Sequence, residues 1–259
     1  MLILLPPSEG KASPRRGARL DLARLSAPGL TPARERVLEA LTGLCREEPE
    51  RAIRVLGLGP TQADDVRRNA GLHAAPTARA DAIYTGVVYE ALDAATLDPA
   101  ARRRAGRWIG VISSVFGLVT PSDRIPSYRL GGGTNLPGLG VVSAHWRGVL
   151  EPAVREAAGT GLVVDLRSST YAAFWRPTPG LARKVATVRV LQQVGSERKV
   201  VSHFNKATKG RLVRALLESG ATPSSPAALA DTIVDLGWKA ELGVPGRQGQ
   251  QIDVVVEEL

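Results

Sequence analysis

Cysteine and histidine are almost missing from this chain: Cys45 stands alone, and His73, His145 and His203 are widely separated. Disulfide frameworks need paired cysteines, and zinc or iron–sulfur centres need clustered thiolates and imidazoles, so no metal site, disulfide scaffold or bound cofactor is expected. Aromatic residues make up only 4% of the chain, which calls for an aliphatic core. No apolar run approaches the ~20 residues that span a bilayer, so no membrane partner is expected. The opening run Met1–Leu5 is too short for the apolar region of a secretory signal, lacks a basic flank and meets Pro6 and Pro7 at once; a cytoplasmic location follows as an expectation. Also missing are a G-x-S-x-G elbow, a phosphate-loop string, and G-x-G-x-x-G after a strand. Nucleophilic-serine, nucleotide-hydrolysis and dinucleotide chemistry therefore lose their usual support.

What is present is a globular composition, 44% hydrophobic and 23% charged over 259 residues, with no internal repeat or linker. One domain spanning residues 1–259 is the expectation. The net charge of +9 suits a partner that is a polyanion. Arginine outnumbers lysine, 28 to six. Where the guanidinium is used so freely, a lysine points to a need for the compact ammonium.

The pattern is that of an α/β chain. Residues 1–5, 108–112 and 162–166 are short apolar runs that read as buried strands, and 12–31 reads as an extended loop. A helix capped by Thr31 with Pro32 in its first turn carries Val37, Leu38, Leu41, Leu44 and Cys45 at helical spacing, which makes Cys45 a packing residue. Thr61 can cap a second helix running to about Asn69. A glycine-rich loop covers 131–140, a helix resumes near Ser143, and Pro152 kinks or restarts it. Segments 184–194 and 199–204 read as a hairpin around residues 195–197, followed by a helix over 205–217, a Ser224-capped helix, and closing strands at 238–242 and 251–256.

Three of the apolar strands run straight into polar clusters: Ser8-Glu9-Gly10-Lys11, Ser113-Ser114, and Asp165 with Arg167, Ser168 and Ser169. In α/β proteins ligands gather at such carboxyl ends, although each cluster alone can be a simple turn or cap. Glu9 and Asp165, with Lys206, are the candidates for acid–base work. The string Asn205–Arg211 puts Lys206, Lys209 and Arg211 near the start of a helix, where a bound anion offsets the repulsion from the helix dipole. LGLGPTQA admits two readings, an ordinary glycine turn or a helix-hairpin-helix whose Gly57 and Gly59 aim amides at a phosphate. Tyr128 can stack on a base or pack inside, beside Arg129.

Several segments together carry a likeness: MLILLPPSEGK, IYTGVVYEAL, VISSVFGLVTPSDRIPSYRL, AHWRGVL, VVDLRSSTY and VSHFNKATKGRLVRALL. The chain resembles the YaaA peroxide-stress family throughout its length. The resemblance implies a compact α/β fold, a mixed central sheet flanked by helices, with a basic cleft. It also implies DNA binding with little sequence preference and a part in limiting oxidative damage under peroxide stress. It implies helix-hairpin-helix character, locally matched by LGLGPTQA, and places Lys11, Arg129, Lys206 and Lys209 on usually basic positions. At residues 8–11, SEGK stands where other members carry S-P-A-K-T, which adds Glu9. The alternative is an enzyme acting on a nucleotide, nucleobase or other small molecule, in a pocket lined by Glu9, Lys11, Arg129, Asp165 and Lys206, and the alternative partner to DNA is a phosphate-bearing small molecule.

Overall fold

Four consecutive apolar residues can be satisfied only where both faces of a strand are covered, and Leu2–Leu5 is buried at every position. In the computed structural model, which describes residues 1–194, 197–199 and 202–257, this strand lies inside a large mixed sheet. The strands in chain order are β1 (Leu2–Leu5), β2 (Ala78–Arg79), β3 (Ile109–Ser113), β4 (Gly117–Val119), β5 (Arg124–Ile125) and β6 (Asn135–Leu136). They continue with β7 (Gly140–Val141), β8 (Val163–Asp165), β9 (Val185–Val194), β10 (Glu197–Lys199), β11 (Lys239–Gly246) and β12 (Gly249–Glu257). The main sheet has the order β11-β12-β9-β8-β1-β3-β4, with β10 pairing to β9. β12, β9, β8, β1 and β3 run parallel, and β11 and β4 close the two edges antiparallel.

The helices are α1 (Thr31–Glu47), α2 (Pro49–Leu56), α3 (Ala63–Ala70), α4 (Ala80–Ile83), α5 (Val87–Leu92) and α6 (Pro99–Trp108). After them come α7 (Val142–Arg147), α8 (Leu150–Ala158), α9 (Ser169–Ala172), α10 (Pro179–Ala182), α11 (Ser202–Ser219) and α12 (Pro226–Asp235). The fold is thus mixed α/β, with one central sheet flanked by helices and one continuous core. Val37, Leu38 and Leu41 of α1 are fully buried, each stabilising by roughly 1.5–3 kcal/mol. Cys45 packs among them at 4% exposure, and burial pushes its thiol up to about 11. No helix among the described residues is long and apolar enough to cross a membrane.

Several boundaries differ from those the sequence suggests. The turn Pro28–Leu30 leads directly into α1, so Leu30 is the cap and Thr31 already helical. A turn of 3-10 helix at Pro60–Gln62 precedes α3 and displaces Thr61 from the cap. Pro152 lies in the first turn of α8, which is a restart and not a kink. Ser225, not Ser224, caps α12 by accepting from the Ala228 amide at 3.2 Å. The expected strand over 199–204 is wrong in its second half: β10 ends at Lys199 and Ser202–Phe204 are helical. The hairpin's turn at 195–197 falls mostly outside the described residues.

Candidate functional site

β8, β1 and β3 are neighbours, and parallel pairing brings their carboxyl ends to the same edge of the sheet. Leu4 pairs with both Gly110 and Asp165, so the polar segments after Leu5, Ser113 and Asp165 emerge side by side. The three clusters read from the sequence therefore lie together at one edge of the sheet.

The first segment is folded tightly. Ser8 Oγ donates to Gly10 O at 2.5 Å and accepts from the Thr85 amide at 3.0 Å, pinning the turn to the start of α5. Lys11 is then aligned against Tyr84 by a β-bridge, and the Ala12 amide donates to Ile83 O at 2.9 Å. The Lys11 ammonium doubles back: Nζ donates to Ser8 O at 2.7 Å and Glu9 O at 3.4 Å. It also lies over the Tyr128 ring, 4.2 Å from its centre, and 5.8 Å from that of Tyr84. No carboxylate forms an ion pair with it among the described residues. Burial, and then the nearby Arg129 charge, hold its amine down at about 7; Glu9 and Asp65 oppose them.

Around Lys11 stand phenols and hydroxyls. Tyr84 and Tyr128 share a hydrogen bond of 3.1 Å, Tyr128 and Ser113 one of 2.8 Å, and Ser113 Oγ accepts from the Phe116 amide. Tyr89 stacks on Tyr84 at 5.5 Å and donates to Pro6 O at 2.7 Å. Tyr171 hydrogen-bonds Ser114 Oγ at 3.0 Å. All four tyrosines of the chain thus belong to this edge of the sheet. Burial raises the phenol of each above its ordinary value, so all are neutral hydroxyl donors at physiological pH. A cleft of about 750 Å³ adjoins the cluster, walled in part by Tyr84, Thr85, Tyr89, Ile109 and Val111.

Arg129 meets Lys11 here. Its backbone is clasped by Asn69 of α3, whose Nδ2 donates to Arg129 O at 2.7 Å and whose Oδ1 accepts from Arg129 N at 2.9 Å. Its guanidinium reaches Glu9 loosely, at 3.6 Å to the carboxylate. On the other side, Asp165 and Arg167 form a buried bidentate pair at 2.8 and 2.6 Å, and Arg167 also donates to Tyr171 O and Trp175 O. Lys209 donates to Leu166 O at 3.0 Å, and burial lowers its amine to about 8.

Several candidate residues therefore have a different position from the one their motifs suggest. Tyr128 is 2% exposed and cannot offer its face to a base; the face is occupied by Lys11. Lys209 is interior, tethered to the end of β8. Because α11 begins at Ser202, Lys206 and Lys209 sit past its first turn, which removes the dipole argument for an anion there. Lys206 and Arg211 are exposed and form no ion pair among the described residues. Glu9 faces solvent and Asp165 is committed to Arg167, so they do not form an acid–base dyad.

α2 and α3 are joined by a glycine turn and a turn of 3-10 helix. Gly57 takes φ +63° as the left-handed cap of α2, a conformation glycine tolerates at little cost. Both glycine amides are used internally, Gly57 to Arg54 O at 3.2 Å and Gly59 to Gln62 Oε1 at 2.9 Å, so neither stands free for a phosphate. Tyr84, Tyr89, Tyr171 and Asn69 escaped the sequence reading as site residues. The signal that marks the tyrosines is scarcity, four in a chain poor in aromatics, whereas nothing in the sequence marks Asn69.

The protein is of the mixed α/β class, with Lys11 packed on tyrosine rings beside the carboxyl ends of the parallel strands. A family model described as Peroxide stress protein YaaA matches residues 1–241, and the chain belongs to that family. UPF0246 protein SCO2297 of Streptomyces coelicolor is 52% identical over 100% of both chains. UPF0246 protein CE1889 of Corynebacterium efficiens is 41% identical over 93% of this chain and 95% of its own. A UPF0246 protein of Cereibacter sphaeroides, RSKD131_2757, is 30% identical over 85% of this chain and 87% of its own.

Proposed function

We propose that this protein binds DNA during the peroxide stress response, gripping backbone phosphates with cations around the carboxyl edge of the sheet and thereby limiting oxidative damage. The supporting observation is that Lys206 and Arg211 are exposed without a carboxylate partner among the described residues, while Asn69 of α3 clasps the backbone of Arg129. Unpaired surface cations neutralise phosphates at little desolvation cost, and backbone contacts of this kind read no sequence. A net charge of +9 adds long-range attraction. Lys11, Tyr128 and Lys209 serve this reading as the support beneath the rim.

The test is binding of two unrelated duplexes measured by fluorescence anisotropy at several salt concentrations. Both duplexes are expected to bind alike, with log K falling linearly in log salt by ~0.9 per phosphate engaged. Affinity that is indifferent to salt, or confined to one duplex, contradicts the reading.

One observation favours the enzymatic alternative: an amine held near neutrality beside a guanidinium and a row of neutral hydroxyls is a typical catalytic arrangement. In that reading Lys11 and Arg129 face the substrate, with Glu9 beside Arg129 and Lys206 exposed on α11. Asp165 acts by holding Arg167.

A further inference from the structure

We propose that Lys11 is a nucleophilic amine that captures an aldehyde carried on a phosphate-bearing molecule, forming an imine at the carboxyl end of β1. The proposal rests on the enzymatic reading of the strand-end site and does not require the DNA-binding one.

The geometry carries it. Lysine ammoniums on protein surfaces sit in water or beside carboxylates, whereas among the described residues the Lys11 nitrogen is held by two backbone carbonyls and the faces of two tyrosine rings. Those contacts fix its position without a carboxylate that would keep it charged. Lys11 is half-buried and the bond from its nitrogen to Glu9 O lies at the surface, whereas Lys209 is shut inside. Among the six lysines, only Lys11 combines a withheld charge with access. The charged groups facing it are Arg129 and Arg68, which favour the neutral amine, and Glu9 and Asp65, which oppose them; Tyr84 and Tyr128 meet it with their rings. At pH 7 an amine titrating near neutrality has about a thousandfold larger uncharged fraction than an ordinary lysine.

The ligand class follows from the neighbours. Arg129 is tied to Glu9 only loosely, and its guanidinium has donors left for a phosphate beside the amine. Hydroxyls of Tyr84, Tyr128 and Ser113 form a hydrogen-bonded chain in the same cluster and hold the two rings in place under the amine. In the reaction the nitrogen lone pair attacks the aldehyde carbon, and the carbonyl π pair moves to oxygen, which takes up the proton lost by nitrogen. The resulting carbinolamine then expels its hydroxyl with a proton as water while the nitrogen lone pair forms the C=N bond. Amine plus aldehyde gives imine plus water, with no oxidant or reductant.

An aldehyde of this class has two sources, the ring-opened abasic sugar of damaged DNA and a free sugar phosphate. The experiment incubates the full chain with cyanoborohydride and either a duplex bearing one abasic site or deoxyribose 5-phosphate, and maps the secondary-amine adduct by peptide mass spectrometry. The expected result is labelling of Lys11 at least about tenfold above any other lysine, rising with pH through neutrality. Labelling by the duplex assigns the DNA source, and labelling by the sugar phosphate alone assigns the small-molecule source. Lys11→Arg, which keeps the cation, should lose the adduct, while Lys239→Ala, on the exposed edge strand β11, should keep it. Mapping on the unmodified chain needs no variant to fold. No adduct at Lys11 with either aldehyde, or labelling spread over Lys206 and Lys239 at equal yield, overturns the proposal. Intact duplex binding, measured on the same sample, reports separately on the DNA reading.

Discussion

The Lys11 ammonium nitrogen lies 4.2 Å from the centre of the Tyr128 ring, on a phenol whose hydroxyl is itself bonded to Tyr84 and Ser113. One contact thus joins the segment after β1 to the segment after β5 and, through the Tyr128 hydroxyl, to the end of β3. The rest of the site is arranged around it.

Lys11 makes stability depend on pH. Between about 7 and its ordinary value of 10.5, the unfolded chain binds a proton that the folded chain has released, so stability rises with pH across that window. Below about 7 both states are protonated and the contribution is flat. Urea unfolding at several pH values should show a shallower rise for Lys11→Met than for the wild type. The difference cannot exceed the roughly 1.4 kcal/mol per pH unit that one proton allows.

Tyr128→Phe keeps the ring under Lys11 but removes the hydroxyl that links Tyr84 and Ser113. Leaving those buried groups short of a partner should cost about 1–3 kcal/mol in chemical denaturation. Tyr128→Leu should cost more, because it also removes the ring face and the edge contact with Phe116.

Asp165 and Arg167 are a pair in the interior, with side chains 9% and 2% exposed. Asp165→Ala strands a buried guanidinium and should destabilise by about 3–5 kcal/mol, whereas the double variant Asp165→Ala with Arg167→Met should recover part of that loss. A single variant as stable as the wild type would mean the guanidinium finds another partner.

Gly210 reads in the sequence as part of a lysine-rich phosphate motif, but its role is steric. A side chain there would meet Val88 O at 2.3 Å and Ala91 Cβ at 2.8 Å, where α11 crosses α5. Gly210→Ala should push the helices apart and cost about 1–3 kcal/mol in thermal or urea unfolding.

The sheet's parallel centre was legible because β1, β3 and β8 are short runs of apolar residues ended by polar ones, a pattern that burial on both faces imposes. Their polar ends could be named one by one, and the family likeness covered the whole chain. Their convergence could not be read locally, because it depends on pairings between residues over a hundred positions apart. The start of α11 was missed because the run before it is apolar and β-branched, which suits a strand as well as a helix. The tyrosine cluster was missed for a related reason. Tyr84, Tyr128 and Tyr171 come from three separate segments, and no periodicity connects them.

The central claim is that exposed cations at the carboxyl edge hold DNA phosphates. Its most direct measurement is the salt slope of duplex binding for the wild type against Lys206→Ala with Arg211→Ala, with Arg176→Ala and Arg183→Ala as the comparison. Those two arginines line a separate groove near the start of β9, with Arg247. The account predicts that removing Lys206 and Arg211 lowers the slope by about 1.8 and weakens binding to every sequence alike, while the comparison variant stays close to the wild type. A slope unchanged in the Lys206 and Arg211 variant, with the loss appearing instead at Arg176 and Arg183, would contradict it.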